Sequence, residues 1–155
     1  MNSPEVVRAA AVHADVVAQL LFDFNTEFDT VGPGPEEFGA RLAVLLDRDD
    51  VIVLLAGAVQ DPTGLAFLTL RPTPYYDGPL AQLEELYVRP ERRNQGIGTA
   101  LLQAAIGLVK EAQGGEILIN VDEVDTDARR FYERHGFANF EPGADYRMLC
   151  YLQEL

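Results

Sequence analysis

Residues Ala81 to Ala112, AQLEELYVRPERRNQGIGTALLQAAIGLVKEA, decide how the rest of the chain is read. The stretch opens as an apolar strand (Leu83, Leu86, Tyr87, Val88), crosses a basic turn with two glycines (Arg89 to Gly98) and continues as a long helix. Leu101, Ala104, Ala105, Leu108, Val109 and Ala112 follow one face of a 3.6-residue period, which marks that helix as amphipathic. A strand that feeds a glycine turn into a helix start makes an anion site, because unpaired backbone N–H groups converge there with the positive end of the helix dipole. Of the chain's 12 Lys and Arg residues, Arg89, Arg92 and Arg93 fall in this turn. In a chain of net charge −13, that local reversal of sign calls for an anionic ligand or an ion-pair partner.

The phosphate-loop pattern GxxxxGK[ST] is absent, and Leu101 stands where GxGxxG needs its third glycine. What remains is Arg93-x-x-Gly96-x-Gly98 after a strand ending Leu-Tyr-Val, with ARRFYERHGF (Ala128 to Phe137) downstream. Here the chain resembles the GNAT superfamily of acyl-CoA-dependent N-acetyltransferases, whose pyrophosphate loop is written [RQ]-x-x-G-x-[GA]. The resemblance covers Ala81 to Phe137 well, and the flanks only by order of elements.

Length and composition narrow the classes. With 155 residues, 48% of them hydrophobic, the chain is long enough for one domain with a proper core, and no linker or repeat calls for a second. No window approaches the roughly 20 apolar residues of a membrane span. MNSPEVVRAA at the start has neither the basic nor the apolar region of a secretory signal. The single Cys150 leaves no internal disulfide and no metal cluster, so a cytoplasmic protein without a metal is the simplest account. The excess of 25 acids over 12 bases argues against a nucleic-acid partner. Acidity near a site attracts a cationic amine, and equally serves plain solubility.

Taken in order, Val6 to Ala9 make a first strand. Asp15 then caps a helix with Val16, Val17, Leu20, Leu21, Phe24 and Phe28 inward, and Gly32-Pro33-Gly34-Pro35 breaks it. A second helix runs from Pro35 to about Leu46. Val51 to Ala58 and Leu65 to Leu70 form a hairpin, a proline-rich loop (Arg71 to Pro79) follows, and Gln82 to Val88 is the central strand. After the long helix, Glu116 to Asp122 reads as a strand, and Asp125 or Thr126 caps a short helix that ends at Gly136. Strands at Phe137 to Phe140 and Tyr146 to Leu152 close the chain, with Cys150 buried as a small hydrophobe. The order β-α-α-β-β-β-α-β-α-β-β is an α/β fold with a mixed sheet flanked by helices, antiparallel before the glycine turn.

The resemblance implies a single GNAT-like domain over residues 1–155 whose sheet splays open between the strand ending at Val88 and the strand beginning near Glu116. It also implies acetyl-CoA as cosubstrate. Backbone N–H groups from Asn94 through Gln95, Gly96, Ile97, Gly98 and Thr99 would hold the pyrophosphate with charge from Arg93. Backbone groups of Leu86, Tyr87 and Val88 would pair with the pantetheine arm. The bend after the first helix, with Glu27, Phe28 and Asp29, corresponds to a wall of the acceptor site.

Acyl transfer from a thioester to an amine needs a base for the ammonium and an acid for the leaving thiolate. Glu84 and Glu85 are successive carboxylates in an apolar run, one expected on each face of the strand, and at least one is a candidate base or ammonium anchor. Pairing with Arg71 or Arg147 is the plainer use. The family pattern N-x-x-A-x-x-x-Y maps onto Asp125, Ala128 and Tyr132, which implies Tyr132 as the acid; Asp125 replaces the usual Asn, and Tyr132 also fits a core position. His135 suits a helix end near the last carbonyls.

The expected function is transfer of acetyl from acetyl-CoA to a primary amine by direct attack, the acceptor a small cationic metabolite or antibiotic-like amine. Acetylation of a protein N-terminus or lysine is the nearest alternative. A coenzyme-binding sensor or subunit without turnover is the rival from another class. Dimerisation is common in the resembled family, and the final strands are the segment that would mediate a homodimer.

Overall fold

The computed structural model describes residues 3–155, and they divide into two compact units, Met1–Leu118 and Ile119–Leu155. In the first unit, β1 (Val6–Arg8), β2 (Val51–Ala56), β3 (Gly64–Arg71) and β4 (Leu80–Val88) form an antiparallel meander in which every strand pairs with its sequence neighbour. The last strand, β5 (Ile117–Leu118), joins β4 in parallel. Between β1 and β2 lie α1 (Ala14–Glu27) and α2 (Pro35–Leu45), and α3 (Ile97–Glu111) crosses from β4 to β5.

All six residues of β2 are buried. A strand covered on both faces loses the polar alternation of a half-exposed one, which is why VIVLLA is continuous. One face carries Val53, Leu55, Leu65 and Tyr87 against Val17, Leu20, Leu21 and Leu42 of α1 and α2. The opposite residues Leu54, Ala66, Leu68 and Leu83 are buried too, as are Leu101, Leu102, Ala105 and Val109 of α3. Contacts of α3 with β2, β3 and β4 show that it covers that second face.

Several boundaries moved from the sequence expectation. Asp15 is not the cap of α1: a 3-10 turn, Ala11–His13, precedes the helix, and His13 takes the cap position with its Nδ1 accepting from the Ala10 N–H at 2.9 Å. The Glu116 to Asp122 strand shrinks to two residues. Pairing with β4 stops at Gln82↔Leu118, just before the register shift at Glu84. In the second unit, α4 (Thr126–Arg134) forms as expected, with Asp125 accepting from the Ala128 N–H at 3.0 Å and Gly136 at φ +90° beyond its end.

The two closing strands do not form. Met148 N–H donates to the Asn139 carbonyl at 2.6 Å, but no ladder develops. Their alternation lacks a covered face: Tyr146 is 67%, Leu149 71% and Tyr151 90% exposed, and Cys150 is exposed rather than buried. An isolated pair of strands without such a face is marginal in water.

The Arg71–Pro79 loop is held to the turn after α3 by backbone approach that only glycine permits. A Cβ on Gly78 would lie 2.2 Å from the Ala112 carbonyl oxygen and 2.3 Å from the Gln113 carbonyl carbon. Gly78→Ala therefore has to move backbone, and we expect it to cost about 1–3 kcal/mol and to lower the melting temperature by roughly 3–10 °C. Thermal unfolding followed by circular dichroism checks this, and an unchanged midpoint would show that the loop shifts freely.

Candidate active site

The turn after β4 is built from two left-handed residues, Asn94 at φ 60° and Gly96 at φ 81°. They turn the chain sharply enough to aim successive N–H groups outward before α3 starts. Gly96 is the cap of α3 and offers no side chain, and the first intrahelical bond is that of Ala100 to the Gly96 carbonyl at 3.0 Å. Helix geometry leaves the N–H groups of Ile97 and Gly98 without an intrahelical acceptor, at the positive end of a 15-residue helix. Residues Asn94, Gln95 and Gly96 are exposed, and Gln95 donates from Nε2 to the Glu91 carbonyl at 3.3 Å.

Two of the three arginines of this turn prove to have ion-pair partners, and both partners come from α1. Arg89 Nη1 donates to Asp23 at 3.0 Å, and Arg93 Nη2 donates to Glu27 at 2.6 Å. Each guanidinium also holds a carbonyl through Nε: Arg89 that of Pro62 at 3.1 Å, Arg93 that of Val88 at 3.0 Å. Arg93 lies 5.9 Å from the centre of the Tyr87 ring, which stacks on Phe24 at 4.8 Å. Burial raises the Tyr87 phenol pKa, with Glu27 adding to the rise and Arg93 and Arg89 opposing it. The expected acceptor residue Glu27 is thus joined to the expected coenzyme residue Arg93, while its neighbours Phe28 and Asp29 are exposed and Asp29 turns the chain at φ 51°.

Along β4, the Arg89 N–H donates to Thr63 at 2.9 Å, so the antiparallel alternation points the backbone groups of Tyr87 toward β3 and those of Leu86 and Val88 toward the other edge. β5 pairs with β4 only at Ala81 and Gln82, which leaves that edge without a ladder partner among the described residues. Beyond Gln82 that edge is open among the described residues. Leu86 and Val88 supply its outward N–H groups; Tyr87 does not.

The glutamates depart most from expectation. Phe67 faces Glu85 and Leu68 faces Leu83, so Glu84 is an extra residue bulged out of the ladder. A regular strand would put Glu84 and Glu85 on opposite faces; the bulge brings both carboxylates to the face of Phe67 and Thr69, Glu84 exposed and Glu85 half-buried. Thr69 Oγ1 donates to Glu84 Oε1 at 2.6 Å. Neither glutamate has an arginine partner among the described residues, since Arg147 pairs with Glu123 instead. Burial, reinforced by the charge of Glu84, raises the Glu85 pKa to about 7. A carboxylate poised there accepts a proton near neutrality far better than an ordinary one.

In the second unit Tyr132 is buried on α4, its ring 5.2 Å from Phe131 and 5.6 Å from Phe137. His135 bonds the Phe131 carbonyl through Nδ1 at 2.7 Å, the helix-end contact expected of it. Asp125 is occupied as a helix cap, accepting from the Ala128 N–H. Among the described residues no group of His, Cys, Asp and Glu is arranged to hold a metal, and no helix is long and apolar enough to cross a membrane. Hollows of about 400 and 500 Å³ open beside the Arg71–Pro79 loop, at the start of β4 rather than at its glycine-turn end, and neither is lined by the glutamates or the turn.

Comparison with known proteins bears on this geometry. The model of the acetyltransferase (GNAT) family matches residues 15–137. A solved structure of a candidate acetyltransferase from Arthrobacter sp. FB24 is 52% identical, covers 100% of this chain and 97% of that one, and superposes with a TM-score of 0.90. An aminoglycoside acetyltransferase from an uncultured soil metagenomic sample shares the fold, with a TM-score of 0.79 at 24% identity over 97% of this chain and 95% of that one. Mycothiol acetyltransferase of Thermobispora bispora is 34% identical over 71 residues, 46% of this chain, and the chain spans only about a quarter (24%) of that protein's length.

Proposed function

Because the chain belongs to the acetyltransferase (GNAT) family, whose members use acetyl-CoA as cosubstrate, we propose that it acetylates a primary amine of a small cationic molecule by direct attack. Residues 1–155 act in this reading as one acetyltransferase domain in the cytoplasm. The observation that carries it is the pair of carboxylates gathered by the β4 bulge, one of them with a pKa near 7. An acyltransferase family also includes members that act on proteins, but two adjacent acids on one face suit a compact cation.

The residues of the glycine turn fit the coenzyme: the N–H groups of Ile97 and Gly98 would hold its pyrophosphate, and the outward N–H groups of Leu86 and Val88 its pantetheine arm. Acetyl-CoA supplies the activated acyl carbon as a thioester. Glu84, which accepts from the hydroxyl of Thr69, anchors the ammonium form of the acceptor, and Phe28 and Asp29 wall it. Glu85 takes the proton from the attacking nitrogen, directly or through one water. As the C–S bond breaks, Tyr132 donates its phenolic proton to the sulfur, a role carried over from the motif Ala128-x-x-x-Tyr132. Cys150 takes no part, and no covalent enzyme intermediate is needed.

Calorimetry with acetyl-CoA, using ATP and NAD as controls, and free-thiol release with a panel of polyamines, aminoglycosides and amino-acid derivatives test this. Selective binding with amine-dependent release is expected, and Tyr132→Phe should slow the release at least 10-fold with acetyl-CoA affinity nearly unchanged. Selective binding without release from any amine would favour a coenzyme sensor, and no selective binding would remove the reading of the turn.

A further inference from the structure

The six ion pairs among the described residues fall into two groups. Four are local or open to solvent, with side-chain exposures between 47% and 92%. Asp23–Arg89 and Glu27–Arg93 differ on both counts: exposures run from 24% to 40%, and each pair joins residues 66 positions apart. Partly covered pairs are screened less than open ones, so these two are the pairs able to position something.

Their spacing matches. Asp23 and Glu27 lie one turn apart on α1, and Arg89 and Arg93 lie four positions apart across the short 3-10 turn Pro90–Arg92. Between the two pairs Phe24 of α1 stacks on Tyr87 of β4 at 4.8 Å. The end of α1 is thereby fastened to the end of β4 by two polar contacts flanking one aromatic contact. The arginines complete the arrangement by gripping carbonyls of β4 and of the loop before β3 through their remaining Nε donors. Arg92, between them, makes no ion pair among the described residues.

Directly after Arg93, Asn94 sits at φ 60°. A non-glycine residue holds that conformation only where its surroundings over-determine it. On one side the determinant is the helix start at Ile97. On the other it is Arg93, whose guanidinium is fixed by Glu27, by the Val88 carbonyl and by the Tyr87 ring.

We propose that Asp23 and Glu27 of α1 are positioning residues for coenzyme binding: through Arg89 and Arg93 they clasp the glycine turn in the conformation that aims the N–H groups of Ile97 and Gly98. The inference rests on the turn being the pyrophosphate site. It reassigns Glu27 from the acceptor wall to the coenzyme side, and it makes Arg93 chiefly a pin for the turn. The sign of the effect separates it from simple electrostatics. Removing an anion beside a pyrophosphate tightens binding if charge alone matters; removing a clasp loosens it.

A double-mutant cycle on acetyl-CoA affinity, read by calorimetry with melting temperatures in parallel, tests the proposal. In the wild-type background Glu27→Ala is expected to weaken binding about 5- to 10-fold. In the Arg93→Ala background the same change is expected to do nothing beyond 2-fold, because its route to the turn is already gone. Asp23→Ala and Arg89→Ala should behave in the same way. Tighter or unchanged binding in Glu27→Ala overturns the clasp, and so does a full further loss in the Arg93→Ala background. Failure of the unaltered protein to bind acetyl-CoA overturns instead the reading of the turn on which the clasp depends.

Discussion

Glu85→Gln is expected to lower turnover about 100- to 10,000-fold while leaving acetyl-CoA affinity within a factor of two, the range lost with a general base. Gln keeps the shape of the side chain and removes its ability to take a proton. The pH dependence gives a second readout. Because the base works ionised, the wild-type rate should rise through a midpoint near 7, where burial and Glu84 hold the Glu85 pKa, and the variant should lose that limb. Stability moves the other way. The folded pKa is raised above its ordinary value, so the contribution of this group to stability is present at low pH and is lost as pH rises through about 7. At pH 8 the wild type carries a partly buried charge that Gln does not, so the variant should melt higher there, with the advantage shrinking at pH 5. A variant that keeps the wild-type rate and its acid limb would exclude Glu85 as the base.

Gly98→Val should weaken acetyl-CoA binding about 10- to 100-fold, the equivalent of one or two charge-assisted hydrogen bonds at 1.5–3 kcal/mol each. Gly98 is the second residue of α3, where its N–H has no helical acceptor, and a branched side chain there would stand between that group and a phosphate. Valine is at least as good a helix residue as glycine, so the melting temperature should hold or rise. Lost affinity with retained stability is therefore the signature, measured by calorimetry and thermal unfolding on the same preparation. Equal affinity would mean that the turn holds no coenzyme.

The parts of the fold that were legible in the sequence are those in which one local signal dominates. The amphipathic period of α3, the capping Asp125, the terminating Gly136 and the meander of short apolar runs all appear where the residues put them. What failed depended on neighbours that a linear pattern does not name. Tyr146 to Leu152 alternates like a strand, but no covered face receives it. The expected strand over Glu116 to Asp122 keeps only Ile117 and Leu118 in the ladder. In the site, the charge of Arg89 and Arg93 was plain, whereas their partners Asp23 and Glu27 sit 66 residues earlier and are identifiable only through their i, i+4 spacing on α1. The bulge was the hardest to foresee. Two adjacent glutamates in an apolar strand hint at irregularity, yet only the pairing of Phe67 with Glu85 and Leu68 with Leu83 reveals it.

That bulge makes Glu84 a supernumerary residue. The ladder passes from Leu83 to Glu85 as though Glu84 were not there, so the strand could be written without it and still send Leu83 toward α3 and Glu85 toward α1. Any other single deletion in β4 would invert the facing of every residue beyond it and drag polar groups into the core. Glu84 is thus the one position at which the length of the strand can vary independently of the sheet. Whatever charge stands there adjusts the acidity of Glu85 without the core registering the change, which separates the evolution of the chemistry from the evolution of the fold.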